Sequence, residues 1–427
     1  MAEVRPFRAL RFTPAAGNIE ELTCPPYDII SEEQRREYLE RNPYNVIRLE
    51  LPREGEDPYA KAGETLKSWL EGGILKKDEK PAFYVYEIEF SLEKDNLRRR
   101  VMGLVGQVKL EEFEKGIVLP HEETLSKAKT DRFNLMKATN CNFSSIYSLY
   151  MDEPGNCLDI ASLIAGVQPV ASMTDHQGLT HRLWAITDEE KISLISSHMR
   201  DKKLYIADGH HRYETALNYR NYLREKGVQE GAPSDYVMMV MVEMNHPGLV
   251  VFPTHRMVRG IGDFEPNRII SECEKYFDIT RNIDISLMDE ALSKAYDSNL
   301  HAFGFYTGGS SFTLLTLKDS SVMDSLLPKL SPASRTLDVT ILHTLVLERL
   351  MGIDRENMAN QRSLAYTRDI GEVLERVNNG EFQCGFVLNP TRVTEIRDVA
   401  LAGEKMPQKS TYFYPKLITG LTMNKLD

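Results

Sequence analysis

Hydrophobic and polar positions along the chain alternate with two periods, one typical of strands and one of helices. Runs rich in β-branched and aromatic residues predict strands at 44–51, 82–90 and 100–110. Between the first two runs, Asp57 and Pro58 are suited to start a helix and Gly72 is suited to end it. The segment 31–42 opens with a Ser-x-x-Gln capping box, which also predicts a helix.

The same alternation of strands and helices continues to the end of the sequence. The pattern predicts strands at 203–208, 235–244, 302–307, 311–317 and 384–389. It predicts helices at 188–200, 264–276, 285–296, 339–351 and 393–403. We therefore predict an α+β (mixed α/β) fold with two domains, 1–260 and 261–427, divided at the Gly/Pro-containing stretch 260–266.

Composition and net charge indicate which classes of partner the protein is suited to bind. The 427 residues are 42% hydrophobic and 27% charged, as in ordinary globular proteins, and the net charge is -11. This charge argues against nucleic-acid or anionic-membrane partners. We expect a cytoplasmic protein, because no signal peptide or membrane-spanning run is evident and the five cysteines are scattered.

The stretch Asp208-Gly209-His210-His211-Arg212 follows an apolar run and precedes a helical pattern. It is therefore predicted at the junction of a strand and a helix, where amide N–H groups and the helix dipole favour anions. Gly209 allows a close approach of the main chain, and Arg212 and the histidines can donate hydrogen bonds to phosphate oxygens. Asp208 is a candidate Mg²⁺ ligand. The alternative is that Asp208 merely caps the helix.

A second cluster lies at 118–133. His121 and Glu122 follow Pro120, and basic residues recur behind them at helical spacing, namely Lys127, Lys129 and Arg132. A carboxylate at a loop-to-helix junction is suited to act as a general base. The simpler interpretation is an acidic first turn followed by basic residues, an order that the helix dipole favours.

A third cluster, Lys409-Ser410-Thr411, offers a cation and two hydroxyl groups within an aromatic-rich segment. Such a segment suits a carboxylate or phosphate ligand, or a surface loop anchored by its rings. The segment 253–256, of sequence PTHR, is a weaker candidate. A zinc site built from His121, His210 and His211 is disfavoured, because adjacent histidines at a helix start point in different directions.

These motifs resemble those of known proteins. Gly209 and Arg212 resemble the G-x-x-R segment with which the ParB/sulfiredoxin superfamily binds nucleotide phosphates. The segments 120–122, 208–212 and 407–411 are similar, in the same order, to motifs of the free serine kinase branch. End to end, the chain resembles the large prokaryotic family called domain of unknown function 1015, often described as ParB/SpoOJ-like.

The resemblance implies a ParB/sulfiredoxin-like nucleotide-binding core in 1–260, with an N-terminal extension and insertions. It also implies a second α/β domain whose last segment could return to the site. The implied activity is phosphoryl transfer from ADP or ATP, with Mg²⁺, to the hydroxyl of a free amino acid, above all L-serine. No nucleic-acid or membrane partner is expected, and a homodimer is allowed.

The resemblance also assigns a role to each residue. Glu122, Asp208 and His211 are assigned to catalysis, and Asp208 is in addition the metal ligand. Gly209, His210 and Arg212 are assigned to the nucleotide phosphates. The substrate would contact Lys409, Ser410, Thr411 and His121.

Other interpretations stay open. The chain could be a ParB-like nucleotide-binding switch that does not bind DNA, because its charge is negative and no helix-turn-helix is evident. It could also be a metal-dependent hydrolase, or a scaffold whose polar segments are only caps and loops.

Overall fold

A computed structural model of the chain describes residues 1–92, 97–122, 124 and 126–427, without the side chains of residues 126, 127, 355 and 359. The side chain of Lys127 in the second cluster thus lies outside the described residues. The chain forms two compact units. The first comprises Met1–Pro120, Thr124–Val250 and Pro415–Asp427, and the second combines residues 121–122 with Val251–Tyr414.

A mixed sheet forms the centre of the first unit. Its strands lie side by side in the order Val118–Leu119, Leu204–Asp208, Ile146–Tyr150, Tyr236–Glu243, Arg98–Lys109, Phe83–Ser91, Thr180–Ile186 and Ala171–Thr174. Strand Leu204–Asp208 pairs in parallel with Val118–Leu119 and antiparallel with Ile146–Tyr150. Strand Val4–Arg5 adds to Arg98–Lys109. Two short pairs complete the strands of this unit, Leu10–Phe12 with Leu75–Lys77 and Cys141–Asn142 with Asn424–Lys425.

Helices of the first unit pack on this sheet and on one another. They are Ile19–Leu22, Glu32–Arg41, Ile47–Glu50, Pro58–Glu71, Ser126–Thr139, Ile160–Leu163, Glu189–Met199 and His210–Glu225. Ile206 and Met241 of the sheet and Tyr213 of helix His210–Glu225 share one buried core, so the helix start is held against the strand that precedes it. The predicted capping box is present, because Ser31 and Gln34 each accept a hydrogen bond from the other's backbone amide.

The predicted strand at 44–51 is wrong. Residues Ile47–Glu50 form a short buried helix instead. The Asn45 side chain accepts a hydrogen bond from the Ile47 amide at 2.9 Å and so favours a turn at this point. Burial of Ile47 and Leu49 in a second core of this unit explains the apolar run without a strand.

The second unit contains an antiparallel sheet with its own core. The strand order is Phe277–Asp284, Ser311–Leu317, Ala302–Tyr306, Cys384–Leu388, His255–Val258 and Leu364–Thr367. Its helices are Pro266–Cys273, Met288–Asp297, Val322–Leu326, Pro332–Arg335, Asp338–Ile341, Arg355–Ala359, Ile370–Asn378 and Val393–Leu401, and Leu342–Glu348 is a π-helix. Strands Val250–Phe252 and Tyr412–Tyr414 pair separately. Phe312, Val373 and Val387 lie in the core.

The mixed α/β fold class is thereby confirmed, as are the predicted strands and helices after residue 262. The chain passes from the first compact unit to the second between Val250 and Val251, and it returns between Tyr414 and Pro415. The division into domains 1–260 and 261–427 stays a prediction. Within the described parts of the chain, none of the helices has both the length and the apolarity that crossing a bilayer requires.

Candidate functional site

The predicted strand-to-helix junction is present in the first unit. Strand Leu204–Asp208 leads through Gly209 into helix His210–Glu225. Gly209 has a φ of +95°, a left-handed conformation that residues with a Cβ rarely adopt. A Cβ on Gly209 would also lie 2.9 Å from Nε of Arg212, so the glycine makes room for the guanidinium.

Asp208 does not cap this helix. The N-cap residue is Gly209, which has no side chain to do so. One Asp208 oxygen accepts a hydrogen bond from Nη2 of Arg212 at 2.7 Å, and the other accepts one from Nζ of Lys416 at 2.8 Å. Arg212 also donates to the carbonyl of Ser145. Asp208–Arg212 together with Lys416 are called the Asp208 group below.

Charge dominates the Asp208 group. Burial alone would raise the pKa of Asp208, but Lys416 and Arg212 together outweigh burial and hold that pKa well below its ordinary value. Burial lowers the pKa of His211, against the opposing effect of Asp28 and Glu214. Within the Asp208 group, one anion thus lies between two cations at the start of a helix, and the field of Asp28 also reaches Arg212 and His211. Cations at a helix start are groups that bind phosphate.

The described residues around Asp208 do not fit the Mg²⁺ site that was predicted there. Mg²⁺ requires oxygen ligands and several waters, whereas both Asp208 oxygens contact cationic side chains that would repel the ion. Within the described ranges, no three His, Cys, Asp or Glu side chains are grouped so that they could hold a metal.

A buried ion pair, Glu50 with Arg132, lies near Arg212 of the Asp208 group. Glu50 is 2% exposed, lies 3.5 Å from Arg132 and accepts a hydrogen bond from Ser144. Burial raises the pKa of Glu50, and Arg132 opposes that shift. A cavity of about 40 Å³ lies between this pair and Arg212, room for one water.

The residues of the second sequence cluster, 118–133, belong partly to the first unit and partly to the second. Lys129 donates to Glu214 at 2.8 Å, so this lysine belongs with the helix that follows the Asp208 motif. His121 and Glu122 belong to the second unit instead.

In the second unit, Glu122 meets the C-terminal motif although 287 positions separate the two. The amide N–H of Lys409 donates to Oε1 of Glu122 at 3.1 Å. His121 Nε2 lies 3.0 Å from the Thr411 hydroxyl, and the Met406 amide donates to the His121 carbonyl at 2.7 Å. His121, Glu122 and Lys409–Thr411 are called the Glu122 group below.

The motif Lys409-Ser410-Thr411 forms a strained turn. Lys409 has a φ of 58°, which is uncommon for a residue with a side chain. Ser410 is buried, and its hydroxyl donates to the Pro407 carbonyl at 2.5 Å. Ser410 therefore supports the turn, while the exposed Lys409 and the Thr411 hydroxyl remain the better candidates to contact a substrate.

Sequence reasoning missed several residues of these groups. Lys416 lies in the aromatic-rich C-terminal segment but outside its Lys-Ser-Thr motif. Asp28 and Glu50 lie in the N-terminal region, where no site residue was predicted. Asp28 lies in the segment 24–29, of sequence CPPYDI. The acidic residue next to an aromatic residue is the feature of this segment that could have marked Asp28 as a site residue.

Three solved structures are among those to which this chain is similar. They are a conserved hypothetical protein from Pyrococcus furiosus (14% identity, TM-score 0.34), free serine kinase in complex with AMP (14%, 0.36) and SbnI with a C-terminal truncation from Staphylococcus aureus (10%, 0.35). The alignments cover 73%, 73% and 75% of this chain and 94%, 90% and 87% of the other chains, respectively.

These alignments are long, but the superpositions are loose. A search of the curated proteins finds none that matches the chain. A family profile does match, over residues 4–340. The chain belongs to the family described as "Protein of unknown function (DUF1015)".

Proposed function

We propose that this protein is a nucleotide-dependent kinase that phosphorylates the hydroxyl group of a small molecule, with free L-serine as the first candidate. The observation that carries the proposal is the hydrogen bond between Glu122 and the amide of Lys409. It joins the proposed general base to the proposed substrate-binding segment. A general base must be oriented by its neighbours, and this bond orients the Glu122 carboxylate.

In the proposed reaction, Glu122 accepts the proton of the substrate hydroxyl while that oxygen bonds to the terminal phosphorus of ADP or ATP. The bond between that phosphorus and the bridging oxygen breaks, and its electron pair stays on that oxygen of the departing AMP or ADP. Lys409, Thr411 and His121 hold the substrate carboxylate. Positioning and electrostatics supply most of the catalysis of such transfers.

The Asp208 group is proposed to bind the nucleotide phosphates. Arg212 and Lys416 supply positive charge, and Gly209 lets the main chain approach the phosphate oxygens. Asp208 acts by fixing the two cations, and no step depends on a metal held by Asp208. His211 can donate a hydrogen bond to a phosphate oxygen.

The proposal is tested by incubating the full chain with ADP or ATP and each free amino acid, followed by mass spectrometry of the products. The expected result is a phosphorylated hydroxyl amino acid, with O-phosphoserine most abundant. A ParB-like switch would instead bind nucleotide and phosphorylate nothing. Nucleotide binding without phosphorylation of any hydroxyl amino acid would thus overturn the kinase proposal.

A further inference from the structure

A buried cation lies in the sheet of the second unit. Arg256, on strand His255–Val258, is 0% exposed. Its guanidinium donates to the carbonyls of Thr254 and Lys409, the latter at 3.2 Å, and its Nε donates to Nε2 of His343 at 3.3 Å. The ring of Tyr366 lies 5.4 Å from the guanidinium carbon. Every one of these partners is uncharged.

Among the described residues, no carboxylate lies within ion-pair distance of Arg256. Burial lowers the pKa of Arg256 to about 10, so it keeps its charge at neutral pH. A buried charge without a counter-ion is costly, and folded proteins normally pair such a group. The hydrogen bond to His343 also fixes that ring as the neutral tautomer that carries its proton on Nδ1, because Nε2 must accept.

A cavity of about 430 Å³ in the same unit adjoins this cation. His343 and Tyr366, two of the groups that contact Arg256, line it, so the guanidinium lies directly behind the cavity wall. Its apolar lining comprises Leu330, Met358 and Met406. His343 belongs to the π-helix Leu342–Glu348, a rare element that occurs often at functional sites.

The end of the cavity at His343 and Tyr366 is the end next to Arg256. Glu348, Glu404 and Lys405 also line the cavity. Glu404 there accepts hydrogen bonds from the Ser331 amide at 2.7 Å and the Ser331 hydroxyl at 2.6 Å. A buried positive charge behind a cavity wall attracts a negative charge into the space in front of it.

We propose that this cavity is a binding site for a small organic acid, whose carboxylate lies at the His343 and Tyr366 end in the field of Arg256 and whose apolar portion packs on Leu330, Met358 and Met406. A monoanion matches the single charge of Arg256. The site does not depend on the proposed kinase activity. Because the cavity lining continues through Gln408 to the turn at Lys409, its ligand is also suited to regulate the Glu122 group.

Isothermal titration of the full chain with hexanoate, 1-hexanol and hexyl phosphate tests this proposal. The three probes share one apolar chain and differ in the charge of the head group. We expect hexanoate to bind with one-to-one stoichiometry and about tenfold or more tighter than 1-hexanol. Equal affinity for hexanoate and 1-hexanol, or no binding of hexanoate, would overturn the site. Tighter binding of hexyl phosphate than of hexanoate would overturn the carboxylate assignment.

Two variants locate the binding. Leu330→Trp places a large ring in the cavity without touching Arg256 and should weaken hexanoate binding at least about tenfold. Leu300→Trp, at an exposed leucine of the same unit, is the matched control and should bind as the wild type does. Arg256→Gln should remove the preference for hexanoate over 1-hexanol. If Arg256→Gln does not fold, the comparison of Leu330→Trp with Leu300→Trp still tests the proposal. Unchanged binding of hexanoate by Leu330→Trp would contradict it.

Discussion

Nζ of Lys416 lies 2.8 Å from Oδ1 of Asp208, although 208 positions separate the two residues in sequence. The same carboxylate holds Arg212 at 2.7 Å through its other oxygen. Asp208 thus fixes two cations at the start of a helix. Paired guanidinium and ammonium groups are donors that suit phosphate oxygens.

Replacing Lys416 with Met should weaken the binding of ADP and ATP by about 10- to 100-fold, because a charge-assisted hydrogen bond to phosphate is lost. The unpaired Asp208 oxygen would also repel the ligand. Equilibrium binding measures the effect. Lys67→Met is the matched control, since Lys67 is exposed and pairs with Glu71 of its own helix. Equal affinities of the two variants would exclude Lys416 from nucleotide binding.

Asp208→Asn should lower the free energy of unfolding at neutral pH, because Arg212 and Lys416 lose their shared anion. The pKa of Asp208 is lowered in the folded protein, so its contribution is present above the unfolded value of about 4 and is lost as the pH falls below that value. Urea unfolding of wild type and variant from pH 7 to pH 3 should therefore show a difference that shrinks below about pH 4. A difference that does not change with pH would contradict the pairing.

Nucleotide binding should be coupled to proton uptake at His211. Burial lowers the pKa of His211 in the free protein, and a bound phosphate would raise it again. Calorimetry near pH 6.5 in buffers of different ionisation enthalpy should therefore detect proton uptake by the wild type. His211→Gln should reduce the uptake. An unchanged value in the variant would show that His211 does not face the phosphates.

Lys409→Gly should separate stability from activity. Relief of the left-handed backbone at Lys409 should keep the free energy of unfolding the same or raise it by up to about 1 kcal/mol. Loss of the ammonium group should raise the KM for the acceptor amino acid. Thermal unfolding and steady-state kinetics give the two readouts. A variant that is less stable, with an unchanged KM, would contradict both roles of Lys409.

Local patterns predicted much of the fold. The apolar run before Asp208 and the glycine after it predicted the junction, because a strand end and a helix start depend on neighbouring residues. The run at 44–51 was misassigned because short apolar segments look alike whether they form strands or buried helices. The Asn45 side chain decides that case through a hydrogen bond that periodicity does not contain.

The candidate site was predicted only in part. Its motifs were found because each is compact in sequence. Lys416 and Glu50 were missed because their partners lie far away along the chain, and pairing across such distances depends on the tertiary fold. The contact of Lys416 with Asp208 was missed for the same reason, since no local pattern shows that a distant lysine contacts this carboxylate.

Phosphorus NMR of the full chain with L-serine and either ADP or ATP, in wild type and in Glu122→Gln, tests the central claim most directly. Glu356→Gln, which changes an exposed carboxylate, is the control. We predict an O-phosphoserine signal whose rate of formation falls by about two to four powers of ten in Glu122→Gln, while nucleotide affinity is largely retained. Equal rates in the wild type and Glu122→Gln, or no O-phosphoserine from the wild type with either nucleotide, would contradict it.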